Sequence, residues 1–185
     1  MAHKTVKEKV KTTFDTLKGD FKYKNKLQAP RITRVVITTT IGSIKDPKKK
    51  DLMLDRMTKI TGQKPVTTLA KKSVAGFKLR AGDSSAYKIT LRGDRMWSFL
   101  DKVVNIALPR TKDFRGISVT GIDSMGNFSF GIKEHTVFPE TTDENIQDVF
   151  SLGVTLVTSS KQVKETKAFL DTLGFLFKKI EEKKK

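Results

Sequence analysis

Apolar side chains at Val6, Val10, Phe14 and Leu17 recur at helical spacing and predict an amphipathic helix over residues 4–18, with Lys4, Lys7, Lys9, Lys11 and Lys18 facing outward. Beyond Pro30 the pattern changes, and the β-branched run Arg31 to Thr40 predicts a strand. Asp46-Pro47 marks a helix start, because Asp caps and Pro suits the first turn. Leu52, Met53, Met57 and Ile60 then form an apolar stripe that Gly62 ends, and Pro65 to Leu69 reads as a short strand. Residues 70–86 have no period, and their glycines and basic residues predict an exposed basic loop. Tyr87 to Arg92 alternates as a strand does. A helix then opens at Gly93-Asp94, turns Met96, Phe99, Leu100, Val103, Val104 and Ala107 inward, and stops near Leu108 at Pro109.

Further on, Ile117 to Ile122 and Phe128 to Ile132 predict short strands around a turn at Ser124-Met125-Gly126-Asn127. Residues 153–159 predict another strand. Ser160 is the expected cap of a last helix that carries Val163, Phe169 and Leu170 and ends at Gly174, and residues 178–185 form a charged tail. Several strands follow one another without a helix between them. The expected fold class is therefore α+β: one domain over residues 1–185, with a mostly antiparallel sheet and helices packed on one side.

Charge sharpens this picture. The chain carries 37 Lys or Arg against 20 Asp or Glu, a formal net charge of +17. Residues 1–100 hold 24 basic and 8 acidic side chains, whereas residues 101–185 hold 13 and 12. Over residues 121–160 six acids face one lysine, Lys133. Such asymmetry predicts two neighbours of different charge: a polyanion for the basic part, and protein for the near-neutral part over residues 101–177. No apolar run is long enough to cross a bilayer, and residues 1–4 lead into a charged segment without a signal-peptide core. With no cysteine in the chain there is no disulfide, thiolate metal site or cysteine nucleophile. The expectation is a soluble cytoplasmic protein with no membrane partner.

Catalytic motifs are missing. There is no phosphate-binding Gly-rich loop of either common kind. The histidines are His3 and His135, and neither has a second histidine at metal-ligand spacing, so no metal or cofactor is expected. Glu134-His135 reads either as a surface pair on alternate faces of a strand or as an acid–base pair. Glu140, Asp143, Glu144 and Asp148 match no calcium-loop spacing and read as a solvated acidic face.

Signals for RNA are stronger. Lys64, Lys71, Lys72, Lys78 and Arg80 cluster around one loop with Phe77, which either stacks on a base or ribose or plugs the core. Lys88, Thr90 and Arg92 share one face of a strand, an odd choice for burial and a sensible one against a sugar–phosphate backbone. Gln63, at the helix end between Gly62 and Lys64, offers a donor and an acceptor to a base edge or a 2′-hydroxyl.

The same residues carry a resemblance. Ile60-Thr61-Gly62-Gln63-Lys64-Pro65, then residues 70–80 (AKKSVAGFKLR), then residues 88–97 (KITLRGDRMW) occur in the order found in the fifth-protein, 5S RNA-binding family of the bacterial large ribosomal subunit. Residues 106–110 (IALPR), Asp113-Phe114-Arg115-Gly116, Gly126-Asn127-Phe128, Gly131-Ile132-Lys133-Glu134 and Val137-Phe138-Pro139-Glu140 continue it, so the similarity runs from about Tyr23 to Gly174. The Ser-Val-Ala-Gly-Phe-Lys form resembles the bacterial branch more than the archaeal and eukaryotic one.

That resemblance implies a structural, non-catalytic component of the 50S subunit. It would bind 5S rRNA, help attach it in the central protuberance beside 23S-type rRNA and other central-protuberance proteins, reach P-site tRNA, and bridge to the thirteenth small-subunit ribosomal protein. By motif, Gln63 and Thr90 match positions of 5S RNA contact; Thr38, Lys64, Lys88, Arg92 and Arg95 are further candidate RNA-binding residues from their charge or hydrogen-bonding groups. The loop from Lys72 to about Ser85, with Phe77, Lys78 and Arg80, matches the one that extends toward P-site tRNA, and Lys71 adjoins it. Arg110, Lys112, Asp113 and Arg115, with Asp143 and Glu144, are the implied bridge residues.

The chain departs from the family pattern in three places. Thr38-Thr39-Thr40-Ile41-Gly42 replaces Asn-Met-Gly-Val-Gly, Gly82 to Tyr87 replaces a Pro-Ile-Gly-Cys-like run, and Thr141-Thr142-Asp143-Glu144 replaces Ile-Asp-Tyr-Asp. Thr40 resists a positive φ, so a changed backbone contact with RNA is expected there. The rival class is an RNA-modifying or nucleotide-using enzyme with an unfamiliar site.

Overall fold

The computed structural model describes residues 5–44, 46–112, 114–141 and 149–178. His3, Asp113, Asp143, Glu144, Asp148 and the tail beyond Lys178 lie outside the described residues. The first helix, α1 (Val6–Phe21), starts at a capping box in which the Thr5 hydroxyl accepts from the Glu8 N–H and the Glu8 carboxylate accepts from the Thr5 N–H. Helix α2 (Pro47–Thr61) begins as its Asp-Pro pair predicts: the Asp46 carboxylate accepts from the Lys48 N–H at 2.9 Å. It ends on Gly62 at φ 70°, a conformation that costs glycine nothing.

Five strands build one sheet in the order β2-β3-β1-β5-β4: β1 (Ile32–Thr40), β2 (Val66–Leu69), β3 (Ser84–Leu91), β4 (Phe128–Ile132) and β5 (Leu152–Thr158). Every neighbouring pair is antiparallel. β1 lies between β3 and β5, so strands from both halves of the chain share one sheet.

Alternation gives the sheet two unlike faces. Val35, Ile37, Tyr87, Ile89, Leu91, Leu152, Val154, Leu156, Phe128 and Phe130 point into the core. There they join Phe99 of α3 (Gly93–Lys102), Phe169 of the last helix α5 (Val163–Leu173), Phe138 and Phe175, all four essentially without exposure. Each such side chain contributes about 2 kcal/mol of burial. The alternate positions of the strands form the opposite, open face.

Several local expectations change. Residues 117–122 make no strand: Ile117 forms a parallel bridge to Phe177, a 3-10 turn occupies Val119–Gly121, and Ile122 makes a single bridge to Phe128. Pro109 does not stop its helix. A π stretch (Val103–Ala107) follows α3, and a last short turn, α4 (Leu108–Arg110), continues directly from it and includes Pro109. Ser160 is not the cap of α5. Gln162 occupies that position, and the Ser160 hydroxyl instead donates to Glu165 and accepts from the Gln162 N–H. Val163 is half exposed rather than inward. His135 is no surface residue: it is fully buried, its ring stacks 4.1 Å from Phe150, and its Nδ1 accepts from the Phe150 N–H at 3.3 Å. Glu134 stays exposed while His135 is buried, so the two do not form a surface pair.

Candidate nucleic-acid interface

The open face is acid-free, for none of the five strands contains an Asp or Glu. The register aligns its outward residues in rows. One row runs Val66, Lys88, Thr38, Gly153, Gly131 across all five strands. The next runs Thr90, Val36, Thr155, Ser129. The structure thus brings Thr38 and Lys88 into direct register and sets Thr90 one row away, as the alternation predicted for β3. Arg34 adds a second exposed cation on β1. The Thr38 hydroxyl lies 3.5 Å from the Gly153 carbonyl, too long to hold it, so it remains available to a ligand. The hydroxyls of Ser129 and Thr155 bond each other at 3.0 Å.

Gln63 stands at one end of this face. Gly62 turns the chain out of α2, and Pro65 leads into β2 beside β3. The Thr61 hydroxyl donates to the Met57 carbonyl at 2.7 Å and accepts from the Gln63 N–H at 3.3 Å, which pins the Gln63 backbone. Its side-chain amide makes no hydrogen bond among the described residues. Lys64 is exposed next to it. Arg92 is exposed just past β3, in extended backbone that precedes α3. Arg95 lies in the first turn of α3, in a cleft against Gly62 and Lys59 rather than on the sheet.

The basic loop spans residues 70–83, because β3 already begins at Ser84. It carries its own internal hydrogen bonds. Ala70 and Asp83 close its base, with the Ala70 N–H donating to the Asp83 carbonyl at 2.8 Å. Val74 and Leu79 bond each other across a 3-10 turn at Ala75–Phe77, and the Asp83 carboxylate accepts from the Arg80 N–H at 2.8 Å. Leu79 packs over Gly42 and anchors the loop to the body. Phe77 is 75% exposed at the tip, so it does not plug the core, and Lys71, Lys72, Lys78 and Arg80 are exposed around it.

Thr38 to Gly42 has no positive φ; Thr40 continues β1 opposite Ala86. The threonines that replace the family pattern extend the strand instead of bending it. Arg110, Lys112 and Arg115 lie far along the chain beside the outer edge of β4. Strand alternation also places on the open face four residues of β4 and β5 that are not among the candidate RNA-binding residues. Ser129 and Gly131 in residues 128–132 (FSFGI), and Gly153 and Thr155 in residues 152–158 (LGVTLVT), are the small or polar alternates of otherwise apolar runs.

The family model of ribosomal protein L5 matches residues 25–80, and the model of that ribosomal family's C-terminus matches residues 84–177. The chain is 47% identical over 165 residues to large ribosomal subunit protein uL5 of Ureaplasma parvum, which covers 89% of this chain and 90% of that one. It is 44% identical to uL5 of Heliobacterium modesticaldum over 94% of this chain and 97% of that one. Against uL5 of Flavobacterium johnsoniae it is 43% identical, over 94% and 96%. The two matched segments interleave here, since β3 of the second segment pairs with both β1 and β2 of the first. With both models matched over nearly all of the folded chain, this protein belongs to the uL5 family, the structural and non-enzymatic constituents of the large ribosomal subunit.

Proposed function

We propose that the open face of the sheet binds 5S rRNA and thereby helps attach it in the central protuberance. The observation that carries this reading is the acid-free face on which Lys88 stands opposite Thr38 with Thr90 one row away, and the unengaged Gln63 amide at its end. Lysines neutralise phosphate, while threonine hydroxyls and a glutamine amide suit 2′-hydroxyls and base edges of a folded RNA. The resemblance, in which Gln63 and Thr90 match positions of 5S RNA contact, supports the choice of RNA. Lys64, Arg92 and Arg95 flank the same end and add phosphate contacts to 5S or 23S-type rRNA.

The loop from Lys71 to Arg80 is the part of this reading that reaches P-site tRNA. Its exposed Phe77 offers a stacking surface inside a ring of cations. A bridge to the thirteenth small-subunit protein falls by charge to the acidic stretch that includes Asp143 and Glu144, because a basic ribosomal partner complements acid. Arg110, Lys112 and Arg115 do not share that argument.

The test is co-sedimentation together with a double variant. The reading expects most cellular copies to travel with 50S particles. It expects Gln63→Ala combined with Thr90→Ala to weaken 5S rRNA binding about tenfold at unchanged melting temperature. A protein that stays in the soluble fraction and ignores 5S rRNA at moderate salt overturns the function. Unaltered affinity of the double variant overturns only the site.

A further inference from the structure

The near-neutral half of the chain hides a concentrated positive site. Beyond the outer edge of β4, the segment after α4 folds back along residues 175–178. The Ile117 N–H donates to the Leu176 carbonyl at 2.8 Å, and the Lys178 N–H donates to the Ile117 carbonyl at 2.9 Å. Between these segments and β4 lies a groove of about 470 Å³ lined by Lys112, Arg115, Lys133, Lys178, Ser129 and Gly131. No acidic side chain among the described residues lines it. An adjoining cleft adds Arg110 and one acid, Glu134. None of the four groove cations has an ion-pair partner among the described residues. Like charges around one cleft repel in the free protein, and a bound polyanion relieves that repulsion.

The groove is built, not incidental. Gly116 sits at φ 91°, where its absent Cβ would lie 2.8 Å from the Lys178 nitrogen. Gly121 brings the 3-10 turn onto β4 so closely that a Cβ would lie 2.3 Å from the Ser129 carbonyl oxygen. Two glycines thus hold its wall against its floor.

It is also continuous with the open face, since Ser129 and Gly131 belong to both. Gly131 pairs with Gly153, which pairs with Thr38, which pairs with Lys88. Two side chains are missing side by side, and this strip of bare backbone leads from the groove to Thr38 and on to Lys88, three strand spacings or about 14 Å from β4. A path of that length suits a polymer, not a small ion.

We propose that this groove is a second phosphate-binding subsite for the RNA held on the open face: its sugar–phosphate backbone passes over Gly153 and Gly131 and is neutralised by Lys112, Arg115, Lys133 and Lys178. The inference rests on the RNA-binding reading of that face. A basic protein partner would meet like charge in the groove. An acidic protein segment satisfies the charge but leaves the bare strip without a role.

The experiment uses the full chain and a full-length 5S rRNA transcript, with affinity followed by fluorescence anisotropy across a potassium chloride series. For Lys112→Gln, Arg115→Gln and Lys133→Gln combined, the slope of log affinity against log salt becomes shallower by about 2, and low-salt affinity falls at least ~10-fold. Lys112→Arg with Lys133→Arg keeps the wild-type slope, and equal melting curves show that all variants fold. A triple variant with wild-type slope and affinity, while Lys88→Ala with Thr90→Ala still weakens binding, overturns the groove and spares the open face. An unchanged slope accompanied by lost binding of a polyglutamate probe also overturns it, in favour of an acidic protein. Wild-type protein that ignores 5S rRNA brings down the open-face reading and the groove with it.

Discussion

The Thr38 hydroxyl on β1 stands 3.0 Å from the point where a Cβ on Gly153 of β5 would lie, so this pair keeps a gap open in the middle of the polar sheet face. Neither residue has a positive φ, and Gly153 has no conformational need to be glycine. Its smallness serves the surface above the sheet.

That relationship separates binding from stability. Gly153→Ala restricts the unfolded chain, which favours folding by about 0.5 kcal/mol, while the Thr38 side chain must rotate away, which costs a similar amount. The expected outcome is a melting temperature within ~2 °C of wild type and a several-fold loss of 5S rRNA affinity. Calorimetry and anisotropy on the same sample check both halves.

Gly116 behaves in the opposite way. Its φ of 91° and the backbone atoms 2.8 Å from a would-be Cβ leave alanine no relaxed position. Gly116→Ala should cost about 2 kcal/mol or more, lowering the melting temperature by roughly 4–8 °C in a chain of this size. Thermal melts followed by circular dichroism measure it.

Tyr23 ties α1 to α5. Its ring stacks on Phe21 at 5.9 Å, and its hydroxyl donates to the Glu165 carboxylate in the first turn of α5. Burial, and then the hydrogen bond and charge of Glu165, raise its pKa well above the ordinary 10.0. A phenol whose pKa is raised by folding contributes stability that is complete below pH 10.0 and is lost as pH climbs toward the raised value. Tyr23→Phe should therefore cost about 1 kcal/mol at neutral pH, and the gap from wild type should close above the ordinary tyrosine pKa. Urea unfolding of both proteins at neutral and strongly alkaline pH tests the sign.

Phe77 contributes nothing to the core, being 75% exposed on the loop tip. Phe77→Ala should leave stability within about 0.5 kcal/mol of wild type. If the loop stacks on tRNA, the same change should lower affinity for a deacylated tRNA about tenfold, since one base–aromatic stack is worth roughly 1–3 kcal/mol. Equal tRNA affinity for both proteins removes the loop from that role.

What the chain determines by itself is local. The Asp46-Pro47 start, the Gly62 stop and the alternation through residues 87–92 each rest on contacts within a few residues, and each appears as read. So does the outward placement of Lys88 and Thr90, because strand alternation is a property of the backbone. Tertiary structure decided the rest. No local rule says that Gly153 and Gly131 meet across two strands, or that β1 draws strands from both halves into one face. His135 is buried because Phe150, fifteen residues on, supplies a stacking surface and an N–H for its ring. Residues 117–122 have strand composition but bridge to residue 177 and abut β4, so distant partners take the hydrogen bonds that a hairpin would have used. The charge asymmetry between the halves was plain in the sequence. The gathering of Lys112, Arg115, Lys133 and Lys178 around one groove was not, because residues up to 66 positions apart converge there only when the chain folds back along β4.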